Sequence, residues 1–336
     1  MNRDPLVTPL TRHAGITVPL IGGAMYPCGN PELVAAVSEA GGIGIVQPVS
    51  LTYVHKREFR AGLREIRTLT AKPIGMNALI EKSSAAYMDR MRRWVDEALE
   101  EGVRFFVTSL GNPRWVCDAA HAVGGVVYHD VTEARWARKG ADAGCDGLIG
   151  VNSRAGGHAG ARSMEALYDE LAPFALPLVC AGGIGDVEDY TRALALGYAG
   201  VQMGTRFIAT NECTAHPRYK QGIVDAEEGD IVLTERLTGV PVAVINTPYI
   251  QRIGLRAGPV ARWLLRGRTT KKWVRTFYGL RSVLSLKRSN ARGDASRDYW
   301  QAGRSVAGIR AVEPVATILD RFRRATVHAR AHTTSA

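Results

Sequence analysis

The stretch from Ala181 to Phe207, AGGIGDVEDYTRALALGYAGVQMGTRF, limits the possible folds most strongly, because it reads as two glycine turns joined by one amphipathic helix. A short apolar run, Pro177 to Cys180, ends at Gly182 and Gly183, and Asp186 is placed to cap the helix after it. Val187, Tyr190 and Leu194 fall on one helical face, and Gly197 closes the helix. A second run, Gly200 to Met203, then meets Gly204 and Thr205. Glycines just past strand ends let backbone N–H groups approach a phosphate with no Cβ in the way, and a helix start adds favourable partial charge. In a (β/α)8 barrel the loops after the seventh and eighth strands hold phosphate in this manner. Taken singly, either glycine pair is equally a tight βα turn. Two in register after adjacent strands favour a ligand.

The rest of the chain repeats the same unit. Strand-like runs at Val18 to Ile21, Gly44 to Val46, Pro73 to Ala78, Phe105 to Leu110, Val126 to His129, Gly147 to Val151, Leu178 to Ala181 and Val201 to Gly204 alternate with helical patterns. Those patterns include Ala86 to Glu101 and Thr132 to Ala143, and the first helix has Asn30 to cap it and Pro31 at its first position. The expected fold class is α/β, a (β/α)8 TIM barrel with a smaller, basic, mostly helical cap. A chain of 336 residues accommodates a barrel of about 250 with an elaboration. The barrel is expected over 1–226, the cap over 227–296, and a helical segment packing back on the barrel over 297–330, with ARAHTTSA as a loose tail.

The formal charge of +11 is concentrated between Arg252 and Gly293, where Lys and Arg recur without a single Asp or Glu, interleaved with Trp263, Trp273, Phe277 and Tyr278. Such a surface suits an anionic partner, or is a solvated face whose acidic complement lies elsewhere, for instance on a second subunit of a homodimer. No run approaches the roughly 18 apolar residues of a membrane helix, and the first residues, MNRDPLVTPLTRHAGI, lack a secretory apolar core. A cytoplasmic location without a membrane span is therefore expected. Cys28, Cys117, Cys145, Cys180 and Cys213 show no CxxC pairing and read as buried thiols rather than zinc ligands. Cys28 follows the first strand, where it would face either a ligand or the core.

Between the sixth strand and the next helix lies NSRAGGHAGARS, Asn152 to Ser163, a glycine-rich loop carrying one imidazole, His158. Loops after barrel strands carry the chemistry of this fold, and an imidazole titrating near neutrality accepts a proton or donates a hydrogen bond to a developing anion. The combination of AGGHAG at Ala155 to Gly160, AGGIGD at Ala181 to Asp186 and QMGTRF at Gln202 to Phe207 resembles the nitronate monooxygenase family, relatives of flavin-dependent enoyl-ACP reductases and NADH:quinone reductases. GGAM at Gly22 to Met25, EAGGIGI at Glu39 to Ile45 and GMNA at Gly75 to Ala78 extend the resemblance, which covers roughly Pro19 to Pro217.

The resemblance implies FMN and no metal. Gly182, Gly183, Gly204 and Thr205 would hold the phosphate, Gly23, Ala24, Met25 and Asn77 would line the isoalloxazine, and Ala155, Gly156 and Gly157 would approach the cofactor from the histidine loop. His158 falls on the family's active-site histidine. His129, at the end of the fifth strand, either reaches the flavin edge or sits in the core. The implied reaction passes electrons from an alkyl nitronate to FMN and on to O2, giving a carbonyl product and nitrite. The sequence departs from the family just before AGGH, where Val151, Asn152 and Arg154 replace a Gln-Gly pair and a glutamate.

These features support three functions. The first is the nitronate monooxygenase reaction on a small molecule and O2. The second is NAD(P)H-dependent reduction of a quinone or of an enoyl thioester on CoA or an acyl carrier, with the basic segment receiving the anionic partner. The third is non-enzymatic binding of an anionic ligand; nucleic acid ranks last because the segment carries no recognised nucleic-acid motif. A (β/α)8 dehydrogenase of the nucleotide-precursor type shares the phosphate turns but expects a catalytic cysteine in the sixth-strand loop, where this chain has none.

Overall fold

Eight short strands in βα units can satisfy both edges only by closing on themselves, and they do. The computed structural model describes residues 6–81, 84–256 and 286–333. The strands β1 (Leu20–Gly22), β2 (Ile43–Val46), β3 (Ile74–Ile80), β4 (Phe105–Leu110), β5 (Val126–Val131), β6 (Gly147–Val151), β7 (Leu178–Ala181) and β8 (Gly200–Met203) pair in chain order, all parallel. Closure is between β1 and β8, with Ile21 opposite Gln202. Each strand lies within two residues of its expected position.

Side chains alternate between the lumen and the helical layer, and both sides are apolar, as a covered parallel sheet requires. Ile21, Ile43, Ile45, Phe105, Val107, Tyr128, Ile149 and Val179 fill the lumen, while Met76, Phe106, Val127, Leu148 and Cys180 pack under the helices. The floor is a feature that the strand pattern does not announce. Helix α1 (Pro9–Ala14) inserts Leu10 and Ala14 into the lumen cluster. The Tyr128 hydroxyl meets His13 Nδ1 at 3.1 Å, and Thr8 Oγ1 donates to the Ala199 carbonyl at 2.6 Å.

Two capping expectations part company. Asp186 accepts from the Asp189 N–H at 3.0 Å before the helix Val187–Ala195, and Gly197 ends that helix at φ +106°. Asn30 precedes the helix Pro31–Glu39 but does not cap it. Its amide instead donates to Glu32 Oε2 (2.6 Å) and the Glu212 carbonyl (2.9 Å) and accepts from the Thr214 N–H (3.1 Å). A fully buried amide satisfied on all sides ties the start of this helix to the segment beyond β8.

Past residue 227 the structure adds a two-stranded antiparallel sheet, β9 (Ile231–Thr234) with β10 (Val242–Ile245), to the helices expected there. The run VAVI hides its period because both of its faces are buried, whereas β9 leaves Leu233 exposed. Most of the basic segment, including Arg262, Arg266, Lys271, Lys272 and Arg275, lies outside the described residues. The terminal helix, Val315–Thr333, takes in part of the stretch expected to be a loose tail. Its Phe322 ring stacks on Tyr190 at 4.9 Å, and Arg323 donates to the Ala40 carbonyl at 2.9 Å, which ties it to the barrel's helical layer.

Candidate active site

The lumen changes chemistry at the carboxyl ends of its strands. By the alternation along β3, β5 and β8, Asn77, Asp130 and Gln202 face inward above the apolar filling. Asn77 Oδ1, Asp130 Oδ1 and Gln202 Oε1 are buried without a hydrogen-bond partner. Unanswered buried acceptors are rare in folded proteins, so three in one ring mark a place where another molecule's donors or ordered water belong. Burial pushes the Asp130 carboxyl up to about 7, opposed by a hydrogen bond from Gln202.

Beside this ring stand the two glycine turns. Gly182 and Gly183 take φ of +107° and +79°, values that L side chains rarely adopt. A Cβ at Gly182 would lie 2.6 Å from both Ala155 N and Asn152 Oδ1. Asn152, fully buried, fastens the turn: its amide donates to the Gly182 carbonyl at 2.8 Å and accepts from the Arg154 N–H at 2.8 Å. Among the described residues, no protein acceptor meets the backbone N–H of Gly182, Gly183, Gly204 or Thr205. Adjacent strands thus present four backbone donors that the protein leaves unused, the donor set that a phosphate requires. On the other side, the Gly23 N–H donates to the Met203 carbonyl at 2.9 Å, Ala24 packs against the lumen cluster, and Met25 lies against Gly204.

The histidine loop is held from outside the barrel. Gly157 and Ala243 exchange backbone hydrogen bonds, so the loop is bridged to β10. Gly156 packs backbone to backbone on Gly303, where a Cβ would meet the Gly303 nitrogen at 2.8 Å. The Gly303 N–H in turn donates to Thr205 Oγ1 at 2.9 Å, which commits that hydroxyl to the protein and leaves the Thr205 N–H for a ligand. Ala155 is buried beside the Gly182 turn. His158 keeps exposed surface, yet desolvation by the surrounding wall lowers its pKa, which favours the neutral imidazole.

One candidate cofactor contact is removed here. His129 is turned outward: its ring packs against Gly140 of the helix Ala134–Asp142, its Nδ1 meets Thr108 Oγ1 at 2.9 Å, and burial drives its pKa down to about 4. It belongs to the core, because the inward positions of β5 are taken by Tyr128 and Asp130. Arg154 lies along Gly183, its Nε 2.7 Å from where a Cβ would stand, and Arg154 and Arg304 both reach Glu228, at 3.3 and 3.7 Å. Sequence reasoning missed Asp130 as a site residue, although alternation from the lumen residue Tyr128 places it inward. Gln202 stood out only as part of a motif. The five cysteines are buried thiols, Cys28 included; its Sγ is 3.4 Å from Asn290 Oδ1. No helix among the described residues is long and apolar enough to cross a membrane.

Comparison with known proteins agrees with this geometry. The family model described as nitronate monooxygenase matches residues 7–320. The chain is 31% identical to the (3aS,4S,5R,7aS)-5-hydroxy-7a-methyl-1-oxo-octahydro-1H-indene-4-carboxyl-CoA dehydrogenase of Mycobacterium tuberculosis, over 76% of this chain and 70% of that one. It is 30% identical to the nitronate monooxygenase of Pseudomonas aeruginosa, over 68% of this chain and 77% of that one. Among solved structures, FabK from Thermotoga maritima superposes with a TM-score of 0.77 at 31% identity, covering 97% of this chain and 99% of that one. The closed barrel agrees with the solved structure that the chain resembles, and the chain belongs to the nitronate monooxygenase family and is an oxidoreductase.

Proposed function

We propose that this chain is an FMN-dependent oxidoreductase that oxidises alkyl nitronates, with O2 as the final acceptor. The observation that carries the cofactor reading is the set of four unused N–H donors at Gly182, Gly183, Gly204 and Thr205. The unanswered oxygens of Asn77, Asp130 and Gln202 offer a second, ring-facing set. The residues present therefore fit FMN, with the phosphate on the glycine turns and the isoalloxazine bordered by Gly23, Ala24, Met25 and Asn77. Bound FMN supplies the two-electron acceptor.

The protein's own part is positioning and charge. The neutral His158 imidazole can donate a hydrogen bond to the anionic nitronate or take a proton from a neutral substrate. The bridge from Gly157 to Ala243 and the Gly156–Gly303 contact restrict the loop that carries it. Five buried thiols suit a reducing compartment, and we place the enzyme in the cytoplasm.

A second reading, oxidation or NAD(P)H-dependent reduction of a CoA thioester, is favoured by the name of the Mycobacterium tuberculosis relative and by the positive charge of Arg154 and Arg304 near the mouth. Anaerobic mixing of the holoenzyme with a nitronate, NADH, NADPH and an acyl-CoA, each alone, separates the two. Bleaching of the flavin band by nitronate supports the first reading, bleaching by nicotinamide or acyl-CoA alone replaces it with the second, and purified protein that binds no flavin removes both.

A further inference from the structure

Of the three unanswered acceptors in the upper lumen, Asp130 alone ionises. An amide in its place would make the same contact with Gln202 and carry no penalty for charge, so hydrogen bonding by itself does not account for a carboxyl there. Burial holds this acid near the midpoint of its titration at neutral pH, and a group so poised changes protonation in response to a single new charge nearby.

The setting specifies which charge it answers. Gln202 from β8 is its hydrogen-bonding partner, and the inward residues of β6 and β7, Ile149 and Val179, are apolar. On its own strand, the Tyr128 hydroxyl points to His13 on the floor and the His129 ring faces the outer layer beside Thr108. His158 and Arg154 stand on the loop after β6, with Arg154 along Gly183 and paired to Glu228. Among the described residues, no charge shares the upper lumen ring with Asp130, so a ligand bound at the mouth brings the charge that it would respond to.

We propose that Asp130 takes up a proton when FMN bound at the mouth is reduced and releases it on reoxidation. The inference rests on the FMN reading above. A flavin ring that has accepted two electrons and one proton carries one more negative charge than the oxidised ring, and an ionised carboxyl in the same dry lumen opposes that charge. Protonation of Asp130 relieves the opposition, and linkage requires the reverse coupling as well. In the step, the substrate would give two electrons to the flavin while water at the mouth supplies one proton to the ring and a second that forms the O–H bond on the Asp130 carboxyl; on reoxidation O2 would take the two electrons, and the ring proton and the Asp130 proton would both leave, to reduced oxygen or to water.

The test uses FMN-loaded wild type and Asp130→Asn. The visible spectrum comes first: wild type without flavin would end the cofactor reading itself, independently of any proton count. Both proteins are then photoreduced without O2 in weakly buffered solution at neutral pH, and protons taken up per flavin are counted with an indicator dye. Wild type is expected to take up more than the variant, the difference approaching about half a proton per flavin because Asp130 is already half protonated at neutral pH; equal uptake overturns the proposal. Should Asp130→Asn not hold FMN, the reduced-minus-oxidised infrared spectrum of wild type decides. A carbonyl band of a protonated carboxyl that rises on reduction and shifts in D2O supports the proposal, and its absence overturns it.

Discussion

Along β3, β5 and β8 the lumen holds Gly75, Tyr128 and Gly200 in its lower half, and two residues further along the same strands it holds Asn77, Asp130 and Gln202. The lower set sits among apolar side chains, with the Tyr128 hydroxyl answered by His13, whereas each residue of the upper set keeps an unpaired oxygen. One strand thus packs the core with one inward residue and equips the mouth with the next. Along these three strands stability and function are divided two residues apart, whereas the inward residues of β6 and β7 stay apolar to the strand ends.

The comparison breaks most visibly if the lower half is damaged. Ile149→Ala removes a fully buried lumen side chain and is expected to cost about 2–5 kcal/mol by urea denaturation. A cost well under about 1 kcal/mol would show that the lumen is not a close-packed core. At the mouth the effects should separate from folding. His158→Gln is expected to fold, retain FMN and lose roughly a hundredfold or more in kcat, the range for a removed acid–base group. Full turnover in that variant would take the histidine out of the mechanism.

Asp130→Asn sharpens the contrast through stability. The folded state holds Asp130 near 7 against an ordinary 3.8, so the fold favours its protonated form. That stabilising contribution is present at acid pH and is lost as pH rises from about 4 to about 7. Flavin-free Asp130→Asn should therefore nearly match wild type near pH 4 and exceed it by about 4 kcal/mol near pH 8. Equal melting curves at both pH values would place the carboxyl in water. Gly183→Ala should cost folding about 1–2 kcal/mol for a side chain at positive φ, and should loosen FMN because the Arg154 stem must move. Unchanged FMN release from that variant would remove Gly183 from the cradle.

Much of the fold is legible in the sequence because a barrel strand is short, apolar and bounded by turn residues, which is why all eight lie within two residues of their expected places. The glycine turns and the histidine loop are legible for a related reason: glycine in sequence reports backbone that must come close to something. What glycine does not report is the identity of the neighbour. The family resemblance sets Gly156 toward the cofactor, yet the atom that its missing Cβ makes room for is the nitrogen of Gly303. His129 illustrates the opposite error, since its residue type suggests chemistry while strand parity turns it into the outer layer.

The sequence alone determined the number and order of the βα units, the helix cap at Asp186 and the positions where backbone N–H groups stand free of side chains, because these depend on neighbours within a few residues. Only the tertiary structure decided that α1 plugs the floor, that β10 and Gly303 clamp the histidine loop, and that Asp130 meets Gln202 across the lumen. Those contacts join residues far apart in the chain, and their chemistry arises from burial and alternation around a closed sheet, properties that no local stretch of sequence carries.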